Sequence, residues 1–144
     1  MYCTKALKKS RSFHRRAIAT VECAICLPII VLITVATIDL SSALFLKESL
    51  TVAAYEGARV GALNGGTNDE AIQRVQEVLT ERGITYDDTS VVVSSPGFDT
   101  AATLEHVTIT VTVRCQGNMP LTGQFFQGRS LTAAVTFRKE FKNS

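Results

Sequence analysis

Residues 17–46, AIATVECAICLPIIVLITVATIDLSSALFL, decide the architecture. From Cys23 to Ile38 no side chain is charged, and Glu22 and Asp39 are the only charges between Ala17 and Leu46. Helix rise converts this stretch to roughly 45 Å, more than the roughly 30 Å of bilayer hydrocarbon. It reads as a transmembrane helix over 18–46, and a chain of 144 residues leaves room for one small domain beyond it.

The flanks orient that helix. Lys5, Lys8, Lys9, Arg11, Arg15 and Arg16 precede it with no acid among them, whereas beyond Leu46 the acids slightly outnumber the bases. Basic residues close to a span are retained in the cytoplasm, so residues 1–17 form a basic cytoplasmic leader-like segment and 47–144 an extracytoplasmic domain. A basic arm is also a nucleic-acid signature, but the flank of a span accounts for it, and no nucleic-acid partner is expected. The lipid bilayer is the first partner. On this topology Cys3 is cytosolic, Cys23 and Cys26 lie in the membrane, and Cys115 is alone outside. No disulfide is available within the exported part. Cys115 reads as a free buried thiol on a strand, with an intermolecular bridge as the alternative.

Helical spacing continues past the span through Leu46, Leu50, Ala53, Ala54, Gly57, Val60 and Gly61, and stops at Asn64-Gly65-Gly66. One helix of about 45 residues is expected, its second half outside the membrane. Thr67 with Glu70 then has the form of a capping box, Ala71, Ile72, Val75, Val78 and Leu79 make an apolar stripe, and Gly83 stops a second helix. Ser90–Ser94 is a short β-branched run. Val107, Ile109, Val111 and Val113 alternate with polar residues, as do Leu131, Ala133, Val135 and Phe137, so each strand buries one face. The segment from Gln116 to Arg129 joins two strands as a loop in which Met119, Pro120, Leu121, Phe125 and Phe126 fold back as a lid. The fold class is α+β and pilin-like: a long N-terminal transmembrane helix, a further helix, and a small antiparallel sheet of about three strands.

Glu22 stands just inside the apolar helix, behind the basic segment. A carboxylate at membrane depth costs about 2.5–3.5 kcal/mol, less near an interface. Two readings stay open. If the basic segment is cut off between Ala17 and Ile18, the new α-amino group is a cation available to the Glu22 of a neighbouring helix; otherwise Glu22 sits in the headgroup region. Pro28 frees the carbonyl of Ala24 and predicts a kink. Glu56 and Arg59 are spaced as an i,i+3 pair. Gly57, costly in mid-helix, implies that something approaches closely, its own sheet before a neighbouring subunit.

The run RRAIATVECAICLPIIVLITVATIDLSSALFLKESLTVAAYEGARVGA resembles the TadE-like proteins, minor pseudopilins of the tight-adherence (Tad) pilus system. The resemblance rests on Thr20-Val21-Glu22 ahead of Leu27-Pro28, on Asp39 ending the apolar run, and on Leu50-Thr51 leading to Glu56-Gly57-Ala58-Arg59. It implies a leader removed by a prepilin peptidase at Ala17–Ile18, and a structural role beside other pilin-like subunits and pilus assembly proteins. Glu22, Pro28, Asp39, Glu56, Gly57 and Arg59 are the candidates for assembly or helix packing. The chain departs from the family pattern at Ala17, where Gly is preferred, and at Cys23, where an aromatic residue is preferred.

Enzymatic roles find no support in the residues. Cys23-Ala24-Ile25-Cys26 would be embedded in lipid rather than exposed at a helix start. His14 and His106 are too few and too far apart for a metal or a triad, and no phosphate-cradling loop appears, so no catalytic residue, metal or cofactor is expected. The expected function is that of a pseudopilin in the cell envelope; the alternative is a permanently anchored bitopic binding protein that joins no filament.

Overall fold

A computed structural model of the chain describes residues 11–119, 126 and 128–141, with side chains from residue 19 onward. Lys5, Lys8, Lys9, Cys3, Pro120, Leu121 and Phe125 lie outside the described residues, as do the side chains of Arg11, His14, Arg15, Arg16, Ala17 and Ile18.

The first helix, α1 (Arg11–Ala62), is 52 residues long. It begins earlier than the apolar run because nothing between Arg11 and Ile18 breaks a helix, and it runs through Pro28. It ends where Gly65 takes φ +80, the conformation that only glycine adopts without cost. Among the described residues α1 is the one helix long and apolar enough to cross a membrane. The chain divides between Thr37 and Ile38 into two compact units.

In the first unit the side chains from Ala19 to Thr34 are exposed, including Ile25, Leu27, Ile29, Ile30, Val31, Leu32 and Ile33. Thr34 and Thr37 turn their hydroxyls back to the carbonyls of Ile30 and Ile33, which hides their polarity on an apolar helix.

The second unit, from Ile38 onward, is the α+β domain. Residues 38–46, which the sequence assigns to the span, pack with it: Asp39, Ala43 and Leu46 are buried, while Leu40, Leu44 and Phe45 remain exposed. The helix α2 (Asn68–Glu81) starts at the expected capping box, with Thr67 Oγ1 accepting from Glu70 N–H at 3.2 Å and the Glu70 carboxylate accepting from Thr67 N–H at 3.1 Å. Its stripe Ala71, Val75, Val78 and Leu79 is buried, and Gly83 at φ +66 follows its end.

The sheet has the order β1-β2-β3 and is antiparallel throughout: β1 (Val91–Val93), β2 (His106–Arg114) and β3 (Ser130–Arg138). Val107, Ile109, Val111 and Val113 form its buried spine, opposite Phe137, Val135, Ala133 and Leu131 on β3. The other face is a hydroxyl ladder, with Thr108 on Thr136 at 2.8 Å and Thr112 on Thr132 at 3.0 Å. A short helix, α3 (Gly97–Thr100), lies between β1 and β2 and buries Phe98. The sequence shows only a turn there. One core joins Leu46, Leu50, Ala53, Ala54, Ala58 and Ala62 of α1 to α2, α3 and the sheet.

Candidate functional site

The small residues of α1 create the site where its second half meets the domain. A Cβ on Gly57 would stand 2.4 Å from Val75 Cγ2 and 2.7 Å from the Ala71 carbonyl oxygen, with Ile109 Cδ1 farther off at 3.4 Å. The close approach is therefore to α2 first and only then to the sheet, which corrects the expectation drawn from the sequence. One turn on, a Cβ on Gly61 would fall 2.5 Å from the Phe98 ring. Glu56 flanks this contact with Arg59 at 4.0 Å on its own helix and Arg74 at 3.9 Å on α2. Arg74 also meets Glu77 at 3.3 Å, so the pair expected within α1 is the edge of a network that ties α1 to α2. Arg59 itself is exposed.

The end of α1 is closed by a residue the sequence does not single out. Lys139, fully buried just past β3, donates from Nζ to the carbonyls of Gly61 at 2.9 Å, Leu63 at 3.0 Å and Gly66 at 2.7 Å. These acceptors sit at or just past the helix end, where the ladder of α1 no longer supplies donors, and a cation suits the negative end of the helix dipole. Burial lowers the Lys139 pKa, against the raising influence of Asp99 and Glu70. A lysine after an alternating strand reads as a solvated one, and only the three carbonyls from the distant helix end distinguish it.

The other acids on α1 differ from each other. Glu22 is exposed on the apolar segment. Asp39 is only 2% exposed, and its Oδ1 has no hydrogen-bond partner among the described residues. One turn further, Ala43 packs with Cys115 and Met119 in a small second cluster that Phe126 and Leu131 border. Met119 and Phe126 of the loop thus pack near Ala43 in a cluster of their own rather than as a lid over the main core. Burial raises the Cys115 pKa, with Arg129 opposing, so the thiol stays protonated and shielded. Cys23 and Cys26 are exposed on the helix, and no disulfide occurs among the described residues.

A polar cleft of about 380 Å³ opens beside this cluster, with Tyr86, Asp87, Thr89, Arg114, Gln116 and Ser130 in its walls. Asn118 braces it, accepting from Thr85 N–H at 2.7 Å and donating to the carbonyls of Thr85 and Arg114, each at 2.9 Å. His106 is exposed at the strand end, and the described residues contain no group of three metal-ligating side chains.

α1 thus joins an apolar segment carrying Glu22 to a glycine-alanine seam bounded by Glu56 and Arg59. Residues 17–59 match the model of the TadE-like protein family. The TadE-like segment holds Ala17, Glu22, Pro28, Asp39 and the whole Glu56–Arg59 motif, and stops three residues before α1 ends at Ala62. No curated protein and no solved structure matches the chain. The sheet, α2 and Lys139 lie outside the TadE-like segment.

Proposed function

We propose that the chain is a TadE-like minor pseudopilin, a structural or assembly component of a Tad-type pilus or secretion machine. It is a single-pass protein of the cytoplasmic membrane with its N-terminus inside. Its helix packs beside other pilin-like subunits, and its domain faces pilus assembly proteins outside. The observation that carries this reading is the family match over 17–59, which takes in the apolar helix, Glu22 and the Glu56–Arg59 motif together. The basic flank supports the orientation, and the family's structural, pilus-associated character agrees with a role that needs no chemistry.

A prepilin peptidase acting between Ala17 and Ile18 would free an α-amino group close to Glu22. These residues lie within α1, which begins at Arg11. The second reading, a permanent bitopic anchor, draws on one observation: Glu56 and Gly57 are engaged inside the chain's own domain, so that part of the motif needs no neighbour.

Glu22→Ala tests the pairing. Insertion and domain melting should stay at the wild-type level, because Glu22 is exposed and outside the domain, while co-purification with pilin-like subunits should fall. Mass spectrometry of the mature N-terminus separates the readings, since an anchor keeps Arg15 and Arg16. Assembly at the wild-type level by a cleaved Glu22→Ala chain would remove the pairing, and a cytoplasm-only reporter active after Ser144 would overturn the topology.

A further inference from the structure

Hydrogen bonds within the chain fix the walls of the polar cleft. Asn118 ties Thr85 to Arg114, so the loop before β1 is clamped to the end of β2. Asp87 is held twice, its N–H donating to Ser90 Oγ at 2.9 Å and its carbonyl accepting from Ser90 N–H at 2.8 Å, and Ser90 is buried. Tyr86 packs half-buried against the main core, its hydroxyl 3.3 Å from Thr80 Oγ1. On the sheet side, Thr112 is held by its hydroxyl contact with Thr132.

The groups that line these walls are largely unspent. Among the described residues the side chains of Thr85, Thr89, Gln116 and Ser130 make no hydrogen bond. Arg114 and Asp87 face each other at 4.0 Å, too far for a hydrogen bond, and with the two side chains 79% and 70% exposed the pair is weak enough for a ligand to enter. The lining selects that ligand. An anion gains Arg114 but meets Asp87, and a cation the reverse, so a single charge is disfavoured. An apolar ligand finds no apolar wall, because every described lining side chain but Tyr86 is polar through its length or charged at its tip. A neutral polyol satisfies both charges at once, one hydroxyl donating to the Asp87 carboxylate while its neighbour accepts from the Arg114 guanidinium. The free hydroxyls and the Gln116 amide both donate and accept, as sugar hydroxyls do, and the Tyr86 ring gives a pyranose an apolar face. A volume of about 380 Å³ is at the small end of ligand clefts and suits a mono- or disaccharide.

We propose that the cleft between the Thr85–Ser90 loop and the end of β2 binds a neutral sugar, with Asp87 and Arg114 on adjacent hydroxyls. The inference stands on the domain alone, and neither the membrane reading nor the pilus reading enters it.

Saturation-transfer NMR on the full chain in a zwitterionic detergent, which brings no sugar headgroup, tests this with maltose, cellobiose and diacetylchitobiose as probes. At least one disaccharide should receive magnetisation from the protein, and its titration should shift the amide signals of Thr85, Asp87 and Gln116. Asp87→Asn and Arg114→Gln should each weaken that binding about ten-fold, the scale of a hydrogen bond to a charged group. Domain melting should stay at the parent level in both variants, because the pair is exposed. Failure of all the probes to bind, or a double variant that binds as the parent does, overturns the proposal. Displacement of the sugar by an equal concentration of inorganic phosphate or of glycine would make the cleft an anion or amino-acid site and overturn the sugar assignment.

Discussion

The two parts of α1 are one helix with opposite chemistries. From Ala19 to Thr34 its large side chains point outward with nothing of the chain against them; from Leu46 to Ala62 its inward residues are mostly Ala and Gly, and all of them are covered. Lipid accepts any apolar shape, so the first part needs only bulk hydrophobicity. The second part must let α2 and Phe98 come within side-chain-free distance, so it is specified by the absence of side chains. A helix can therefore be written as solvent-matched along one length and shape-matched along the next.

The largest test of that contrast compares two isoleucines. Ile109→Ala removes a fully buried side chain and should cost about 2–5 kcal/mol in melting of the full chain in detergent. Ile30→Ala, at a residue 61% exposed, should leave the domain's melting within about 0.5 kcal/mol of the parent. Comparable losses at both would show the two parts of α1 to be energetically one.

Gly57→Ala sharpens the comparison through its sign. On a free helix this change stabilises by nearly 1 kcal/mol. Against Val75 Cγ2 at 2.4 Å and a backbone carbonyl at 2.7 Å it should instead destabilise, by about 1–3 kcal/mol. A stabilised variant would mean that α1 and α2 separate without cost.

The last comparison concerns Lys139, whose sharpest readout is the pH dependence. Its folded pKa is lowered by burial, so near its titration the unfolded chain binds more protons than the folded one. Stability from this group is least below the folded pKa and rises with pH as far as the ordinary value of 10.5. Lys139→Met takes one shared donor away from three carbonyls at the helix end and should lose about 1–3 kcal/mol near neutral pH. The stability gap between parent and variant should then widen with alkalinity up to that limit; a gap flat in pH would place the Lys139 ammonium in solvent, and one that shrinks would mean that the carbonyls and nearby acids favour the charged form more than burial opposes it.

Period and capping made most of the fold legible. Thr67 with Glu70, the stripe from Ala71 to Leu79, and the alternation around Ile109 and Val135 each name an element and its buried face, because local geometry alone generates those patterns. What stayed hidden depends on residues far apart in sequence. Phe98 follows Pro96-Gly97, which reads as a stop and conceals a short helix filling the space beside Gly61. The buried state of Asp39 arises from packing that no spacing on α1 announces. The Glu56–Arg59 motif was visible as a signature, but its partners Arg74 and Val75 are set by the fold. The sheet carries only the generic β alternation, and the family match ends before it.

The grip of Lys139 on the carbonyls of Gly61, Leu63 and Gly66 also sets an order of events. Synthesis from the N-terminus delivers position 66 long before position 139. Until the later residue arrives, the end of α1 lacks that cap, and β2 lacks the β3 partner along its length. Closure of the domain is thus among the last steps of folding, and a chain still missing its final strand leaves the end of α1 and one edge of β2 open.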